Sequence, residues 1–227
     1  MTFRIAAVIP CYNTGTICLD IIRRTQAVAD LVVAINDGSG DDTAVVLAQS
    51  GATILTHSIN QGKGAALRTG FSYLLTREDW EAAATLDADG QHDPAFLPKL
   101  ADPIGSGLAD MVIGSRQFQR QGMPFARWLA NRTSSYLISK RLRIPVMDIQ
   151  SGYRVFSRKL LQSLLPRLSA VGFEIETEML IAAVREKARV TDRPIPAIYL
   201  PDPDHPSHWR GIRDSVRIMR ILLKSRA

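Results

Sequence analysis

Short apolar runs alternate with segments of helical periodicity through the first half of the chain. Runs at Ile5–Ile9, Leu31–Ile35, Thr53–Thr56, Ala83–Leu86 and Met111–Ile113 have the length and composition of buried strands. Between them, Ile17–Ala29, Asp42–Ser50 and Lys63–Thr76 read as helices. This alternation predicts an α/β sheet, mainly parallel and flanked by helices. Polar clusters end the strands: Pro10-Cys11-Tyr12-Asn13, Asn36-Asp37-Gly38-Ser39, Asn60-Gln61-Gly62-Lys63-Gly64 and Asp87–Gln91. Ligands of open α/β sheets sit outside the carboxyl ends of the strands, so these clusters are expected on the binding edge.

From about Arg116 the pattern changes. Arg116, Arg120, Arg127, Arg132, Lys140, Arg141 and Arg143 are interleaved with Phe118, Phe125, Trp128, Leu129, Tyr136, Leu137 and Ile138. Such a segment suits either a helix lying in a membrane interface or a solvated helix docked on the sheet. Farther on, Glu174, Glu176 and Glu178 precede the apolar helical run Met179–Val184. Acids at a helix N-terminus are favoured by its dipole, which is the structural reading of all three; an active-site role for Glu176 is the other. In the tail, Arg210, Arg213, Arg217, Arg220 and Lys224 fall on one face of a helix, with Ile212, Val216, Met219 and Leu223 on another. A basic amphipathic helix reads as a binder of membrane surfaces or acidic partners, or as a C-terminal helix packed on the domain.

Composition narrows the class. The chain has 227 residues, 46% hydrophobic and 22% charged, which suits a single globular domain with a complete core. There is no repeat, low-complexity tract or apparent linker, so residues 1–204 are expected to form the domain, with 205–227 a flap and basic helix belonging to it. No apolar run approaches the roughly 18 residues that a membrane span needs. Cys11 and Cys18 supply no metal-ligand set and suit a reducing compartment, so a cytoplasmic protein is expected. A net charge of +6 implies an anionic partner.

The candidate chemistry centres on Asp87-Ala88-Asp89-Gly90-Gln91-His92, directly after the Ala82–Leu86 run. Two carboxylates two residues apart at a strand end can reach one hard cation, and Mg²⁺ or Mn²⁺ commonly shares such carboxylates with substrate phosphates. The alternative is a polar turn in which Asp87 caps the next segment. Asp37, ending the second strand, can accept hydrogen bonds from a nucleotide base or a ribose hydroxyl, while Asp41 or Asp42 can cap the following helix. Gly62-Lys63-Gly64 lacks the spacing of a P-loop, although Lys63 can meet a phosphate. No Gly-x-Gly-x-x-Gly follows the first strand, which argues against a dinucleotide fold.

Taken in order, Pro10-x-Tyr12-Asn13, Asn36-Asp37-Gly38-Ser39, Asn60-x-Gly62-Lys63-Gly64 with Gly70, the Asp87–His92 string, Gly114-Ser115-Arg116 and Gln150-Ser151-Gly152-Tyr153-Arg154 resemble the family 2, GT-A fold glycosyltransferases. Within these the chain looks like the dolichyl-phosphate mannose synthase-like branch, which glycosylates polyprenyl phosphates, and the resemblance covers roughly residues 4 to 200.

The resemblance implies roles. Pro10, Tyr12 and Asn13 would line the nucleoside pocket and Asp37 would bind the base. Lys63 and Ala88 would lie with Asp87 in the donor site, Asp87 on the ribose or sugar. Asp89, supported by Gln91, would hold Mg²⁺ or Mn²⁺ on the diphosphate. Arg116 and Arg154 would bind phosphates, for which a guanidinium fork is suited. Asp148 is the candidate base or a turn cap, and Ser151 lies in the acceptor loop. Arg213, Arg217 and Arg220 would meet an anionic membrane surface. Ser207, His208 and Trp209 would belong to a mobile flap, or to a plain linker; His57 is expected to be structural and His92 to stand behind the metal.

Two departures matter: Thr14-Gly15 replaces the acid that many relatives carry after Asn13, and the Gln-x-x-Arg-Trp motif of processive synthases is absent. The expected activity is inverting, metal-dependent transfer of a sugar from a UDP- or GDP-sugar to polyprenyl phosphate, peripherally at the inner membrane face. A soluble hydroxyl acceptor is the alternative. A non-catalytic binder of anionic lipid or nucleic acid is the second alternative, although no nucleic-acid partner is expected.

Overall fold

In the computed structural model, residues 3–116, 125–144, 146–196 and 198 are described. Seven strands are β1 (Ile5–Cys11), β2 (Leu31–Asp37), β3 (Thr53–His57), β4 (Ala82–Thr85), β5 (Met111–Arg116), β6 (Arg154–Ser157) and β7 (Val190–Ile195). They form one sheet in the order β3-β2-β1-β4-β6-β5-β7. Only β6 runs antiparallel to its neighbours, β4 and β5. The helices are α1 (Ile17–Gln26), α2 (Thr43–Ala48), α3 (Lys63–Leu75), α4 (Leu97–Gly105), α5 (Phe125–Leu142), α6 (Arg158–Leu164) and α7 (Ile175–Arg185).

The sheet is buried on both sides, and alternate residues of one strand serve two cores. Ala6 and Val8 of β1 face the core built with α3, α6 and α7, while Ile5, Ala7 and Ile9 face the one built with α1 and α4. Continuous apolar runs are the expected mark of such strands. On the first face Phe71 of α3 meets Phe156 of β6 edge-on, ring centroids 6.0 Å apart. Gly70 lets α3 lie against β1 and β2: an added Cβ would stand 2.9 Å from Ile35 Cδ1 and closer still to Val8.

Every strand and helix expected in the first half is present, with shifted ends. The apolar pattern of β1 stops at Pro10, yet the strand continues to Cys11 on the β2 side. Pairing with β4 ends at Val8, so Pro10 needs no partner on that side. The chain pattern did not mark β6 and β7. β6 is only four residues long, and β7 contains Asp192, Arg193 and Pro194 because it is an edge, where charge and proline discourage further pairing. α5 is helical, as its cationic and aromatic spacing suggested. The expected tail helix and the flap, residues 205–227, lie outside the described residues.

Replacing Gly70 with Leu is expected to destabilise the fold by about 1–3 kcal/mol, because the strand surface beneath it has no room to yield. Urea unfolding of Gly70→Leu beside the parent chain measures this.

Candidate active site

The carboxyl ends of β1, β2 and β4 place three loops side by side. The first two are laced together. Asn13, in the left-handed region at φ 50°, accepts from Gly40 N through Oδ1 (2.9 Å), while its own N–H donates to Ser39 Oγ (3.1 Å). Thr14 N and Gly15 N both donate to Thr43 Oγ1, at 2.9 and 3.0 Å. Asp41, not Asp42, caps α2 through the N–H of Thr43 (3.0 Å). Asn13 therefore shapes the edge on which Pro10 and Tyr12 also stand, both half-buried.

Asp37 is buried beneath this edge and its carboxylate is occupied by protein. Oδ1 meets His57 Nδ1 (2.6 Å) and accepts from Gln61 N (2.9 Å); Oδ2 accepts from Gly62 N (2.8 Å). His57 Nε2 meets Thr69 Oγ1 at 2.9 Å, which agrees with the structural role expected of His57. The carboxylate thus fixes the turn that delivers Lys63, and Gly62 supplies its φ of 94°.

Lys63 opens α3, and its ammonium lies between two carboxylates. Nζ is 2.5 Å from Asp87 Oδ1 and 2.6 Å from Glu176 Oε1. Burial alone would lower its pKa, but Asp87 and Glu176 outweigh this and raise it. Asp87, against its own burial, is held below the usual carboxylate range by Lys63 and then His92. The aromatic ring of Phe173 lies 5.4 Å from Nζ. Glu176 is 4% exposed, and its Oε2 has no hydrogen-bond partner. A buried acceptor left open is costly in folding.

The three acids of α7 divide their work. Glu178 holds the preceding loop through Ser169 N (3.0 Å) and Ala170 N (2.9 Å). Glu174 accepts from Gly172 N at 3.3 Å. Glu176 meets Lys63. The sequence spacing favoured a purely structural reading of Glu176; its place in the cluster was not legible, because Lys63 lies 113 positions earlier in the chain.

Asp89 stands at the turn after β4, with Gly90 at φ 78°. Its Oδ1 accepts from Gln91 N (3.0 Å), and its side chain reaches the surface. Lost hydration and the neighbouring Asp87 carboxylate raise its pKa. Ala88 is buried between them. His92 is buried against Tyr153, its Nδ1 accepting from Asp87 N (3.2 Å); burial lowers its pKa, and the Asp87 and Asp89 carboxylates act in the other direction. Among the described residues no three His, Cys, Asp or Glu side chains converge to cage a metal alone. The exposed Asp89 carboxylate, with Gln91 on the same turn, nonetheless fits Mg²⁺ or Mn²⁺ that takes most of its oxygens from a substrate diphosphate and water.

The motif Ser151-Gly152-Tyr153-Arg154 packs against this cluster. Gly152 has no Cβ, and one built there would lie 2.9 Å from both Asp87 Oδ1 and Lys63 Nζ. Thr85 Oγ1 donates to Gly152 O at 2.6 Å, fixing the loop to β4. Ser151 is buried and accepts from Tyr153 N (3.3 Å). Arg154 was expected at a phosphate, but it is 0% exposed and donates to three carbonyls: Ser151 O (2.9 Å), Ile149 O (2.5 Å) and Glu176 O (2.5 Å). Burial lowers its pKa to about 10, and the nearby Glu176 and Asp148 act in the other direction. It joins the 149–151 loop to the first turn of α7.

Asp148 is likewise committed. Oδ2 accepts from Arg116 Nε (2.7 Å) and N (3.2 Å), and Oδ1 from Nη2 (3.1 Å). A carboxylate holding a guanidinium fork in this way positions Arg116, and serving as a base would require that fork to open. Arg213, Arg217, Arg220, Ser207, His208 and Trp209 lie outside the described residues.

An α/β sheet of this order, with an Asp-x-Asp turn at its carboxyl edge, defines a GT-A-like transferase fold. Residues 6–165 match the Glycosyl transferase family 2 domain, and the chain belongs to that family. It is 30% identical to undecaprenyl-phosphate mannosyltransferase of Micrococcus luteus over 85% of this chain and 82% of the relative. It is 28% identical to polyprenol monophosphomannose synthase of Mycolicibacterium smegmatis over 86% of this chain and 77% of the relative. Glucosyl-3-phosphoglycerate synthase of Mycobacterium tuberculosis, solved with Mn²⁺, UDP-glucose and phosphoglyceric acid, superposes with a TM-score of 0.72 at 22% identity, covering 98% of this chain and 79% of that one.

Replacing Asp148 with Ala is expected to cost about 3–5 kcal/mol of stability, because it leaves the Arg116 guanidinium without its buried partner. Urea denaturation reads this, and Asp148→Asn, which keeps the shape, should fall between that variant and the parent.

Proposed function

We propose that the chain transfers a sugar from a nucleotide-sugar to polyprenyl phosphate, with inversion and with Mg²⁺ or Mn²⁺, at the cytoplasmic face of a membrane. The observation that carries this reading is the Lys63 ammonium held between Asp87 and Glu176 beside Asp89. The names of the polyprenyl-phosphate relatives support the acceptor, and the Mn²⁺ and UDP-glucose bound by the M. tuberculosis enzyme support the donor and the metal.

Each residue has a task in this reading. Pro10, Tyr12 and Asn13 form the wall on which the nucleoside lies, with Asp37 fixing the turn below it. Glu176 Oε2 accepts from a sugar hydroxyl, and Lys63 and Asp87 orient the sugar between them. Asp89, with Gln91, would hold the divalent cation, whose chemistry there would be Lewis-acid stabilisation of the diphosphate. Arg116, aimed by Asp148, faces phosphate of donor or acceptor.

A phosphate oxygen of the acceptor attacks the anomeric carbon as the bond from that carbon to the diphosphate oxygen breaks. The bonding pair leaves with the nucleoside diphosphate. A phosphate monoester, with a second pKa of about 6, is already anionic at neutral pH and needs no base. The commitment of both Asp148 oxygens to Arg116 accords with a reaction that uses none. A soluble acceptor is the second reading, favoured by the phosphoglyceric acid bound in the M. tuberculosis neighbour. The net charge of +6 suits an anionic acceptor of either kind.

The test is a thermal-shift panel of UDP- and GDP-sugars with and without Mn²⁺. One donor is expected to stabilise the parent only with the metal, and Asp89→Ala to abolish that shift. Glu176→Gln is expected to lower turnover by at least about tenfold while the nucleoside diphosphate alone still binds, since a lost charged hydrogen bond of about 1.5–3 kcal/mol falls on the sugar. Product formation from polyprenyl phosphate, set beside a soluble phosphorylated acid, distinguishes the two acceptors. Absence of a shift with every donor refutes the reading.

A further inference from the structure

The excess of positive charge in this chain lies in two segments. From Met111 to Met147 there are seven Lys and Arg residues and no Asp or Glu. Residues 205–227 carry six more against one acid, whereas 1–110 together with 148–204 hold 15 Lys and Arg against 21 Asp and Glu. The body of the domain is thus net acidic, and its basic character lies in the α5 segment and the tail. Arg116 is occupied by Asp148, but Arg132, Tyr136 and Lys140 of α5 are exposed.

Arg132, Tyr136 and Lys140 follow one another at intervals of four, and Arg143 completes the row in the left-handed turn after the helix, at φ 55°. Residues so spaced share a helix face. All four are exposed, Tyr136 at 62%, and Met147 just beyond them is 64% exposed. Lys140 Nζ lies 6.0 Å from the Tyr136 ring centre. Cations interleaved with an exposed aromatic and an exposed thioether form the pattern that settles into a headgroup layer, charge at the phosphates and apolar groups below.

The opposite side of α5 holds the loop that enters the active site. Ile138 is buried in one core with Val146 and Ile149. Ser135 Oγ accepts from Ile149 N at 3.3 Å, and Ser139 Oγ donates to Val146 O. That loop continues through Asp148 to Gly152, against Asp87 and Lys63.

We infer that the outer face of α5, formed by Arg132, Tyr136, Lys140 and Arg143 with Met147 beyond it, docks on an anionic lipid bilayer, while the 146–152 loop stays packed on the inner side of the helix. The inference deepens the proposed use of a membrane-borne acceptor by naming the face that meets the membrane. Its test needs no sugar nucleotide, so it stands or falls separately from the transferase reading.

The experiment is flotation of the full chain with phosphatidylcholine vesicles, with and without phosphatidylglycerol, across a salt series. Binding is expected only with phosphatidylglycerol, and the combined variant R132Q/K140Q/R143Q is expected to weaken it about a hundredfold, each basic residue near such a surface contributing about fivefold. Y136S/M147S should weaken vesicle binding while leaving binding of a single-stranded oligonucleotide unchanged. All five positions are exposed, and unchanged urea midpoints verify that the variants are folded. Vesicle binding equal to the parent in R132Q/K140Q/R143Q, with loss only in R213Q/R217Q/R220Q, overturns the inference in favour of the tail. Vesicle binding insensitive to Y136S/M147S and displaced by the oligonucleotide overturns it in favour of a general polyanion site.

Discussion

An ammonium removed from water must find its compensation within the protein, and for Lys63 that compensation comes from two elements distant in sequence. Asp87 follows β4 and Glu176 lies in the first turn of α7, so the two contacts at 2.5 and 2.6 Å tie α3, the central sheet and α7 at one point. Removing either carboxylate would leave charge stranded in a site with little water, which is the costly outcome for a buried pair. The same contacts leave a negative surplus once Asp89 is included.

Around this point, polar groups that look chemical in the sequence act mainly on the backbone. Asp37 collects Gln61 N, Gly62 N and His57; Arg154 collects three carbonyls; Glu178 collects Ser169 N and Ala170 N. Irregular loops at the edge of a sheet carry N–H and C=O groups that no ladder satisfies, and burying them needs partners of this kind. The result is preorganisation: Lys63, Asp87 and Glu176 keep their geometry because the turns carrying them are already held. Gly152 contributes by its missing side chain, which leaves room for the ion pair.

Charge is also divided by position. The acids gather in the domain body, while the α5 segment and the tail carry the excess of Lys and Arg. The 146–152 loop links the two regions, held by Ser135 at one end and by Thr85 at the other.

Much of this was legible in the chain. Five apolar runs and the polar clusters that end them specify the parallel part of the sheet, because strands buried on both faces must be apolar throughout. The Asp87–Gln91 turn and Ser151-Gly152-Tyr153-Arg154 marked the right edge of the fold. The short strand β6 and the charged edge β7 were not legible, since four residues show no period and an edge strand is selected against looking like a strand. The family resemblance implied that Arg154 would meet phosphate, and Asp148 was the candidate base or a cap; only the packing shows one guanidinium turned inward to carbonyls and one carboxylate holding Arg116. Periodicity and residue chemistry are local properties, so the sequence by itself determined the class of fold, the binding edge and the basic segments. Which partner each buried charge finds depends on contacts between residues as far apart as 63 and 176, and the tertiary structure alone decided that.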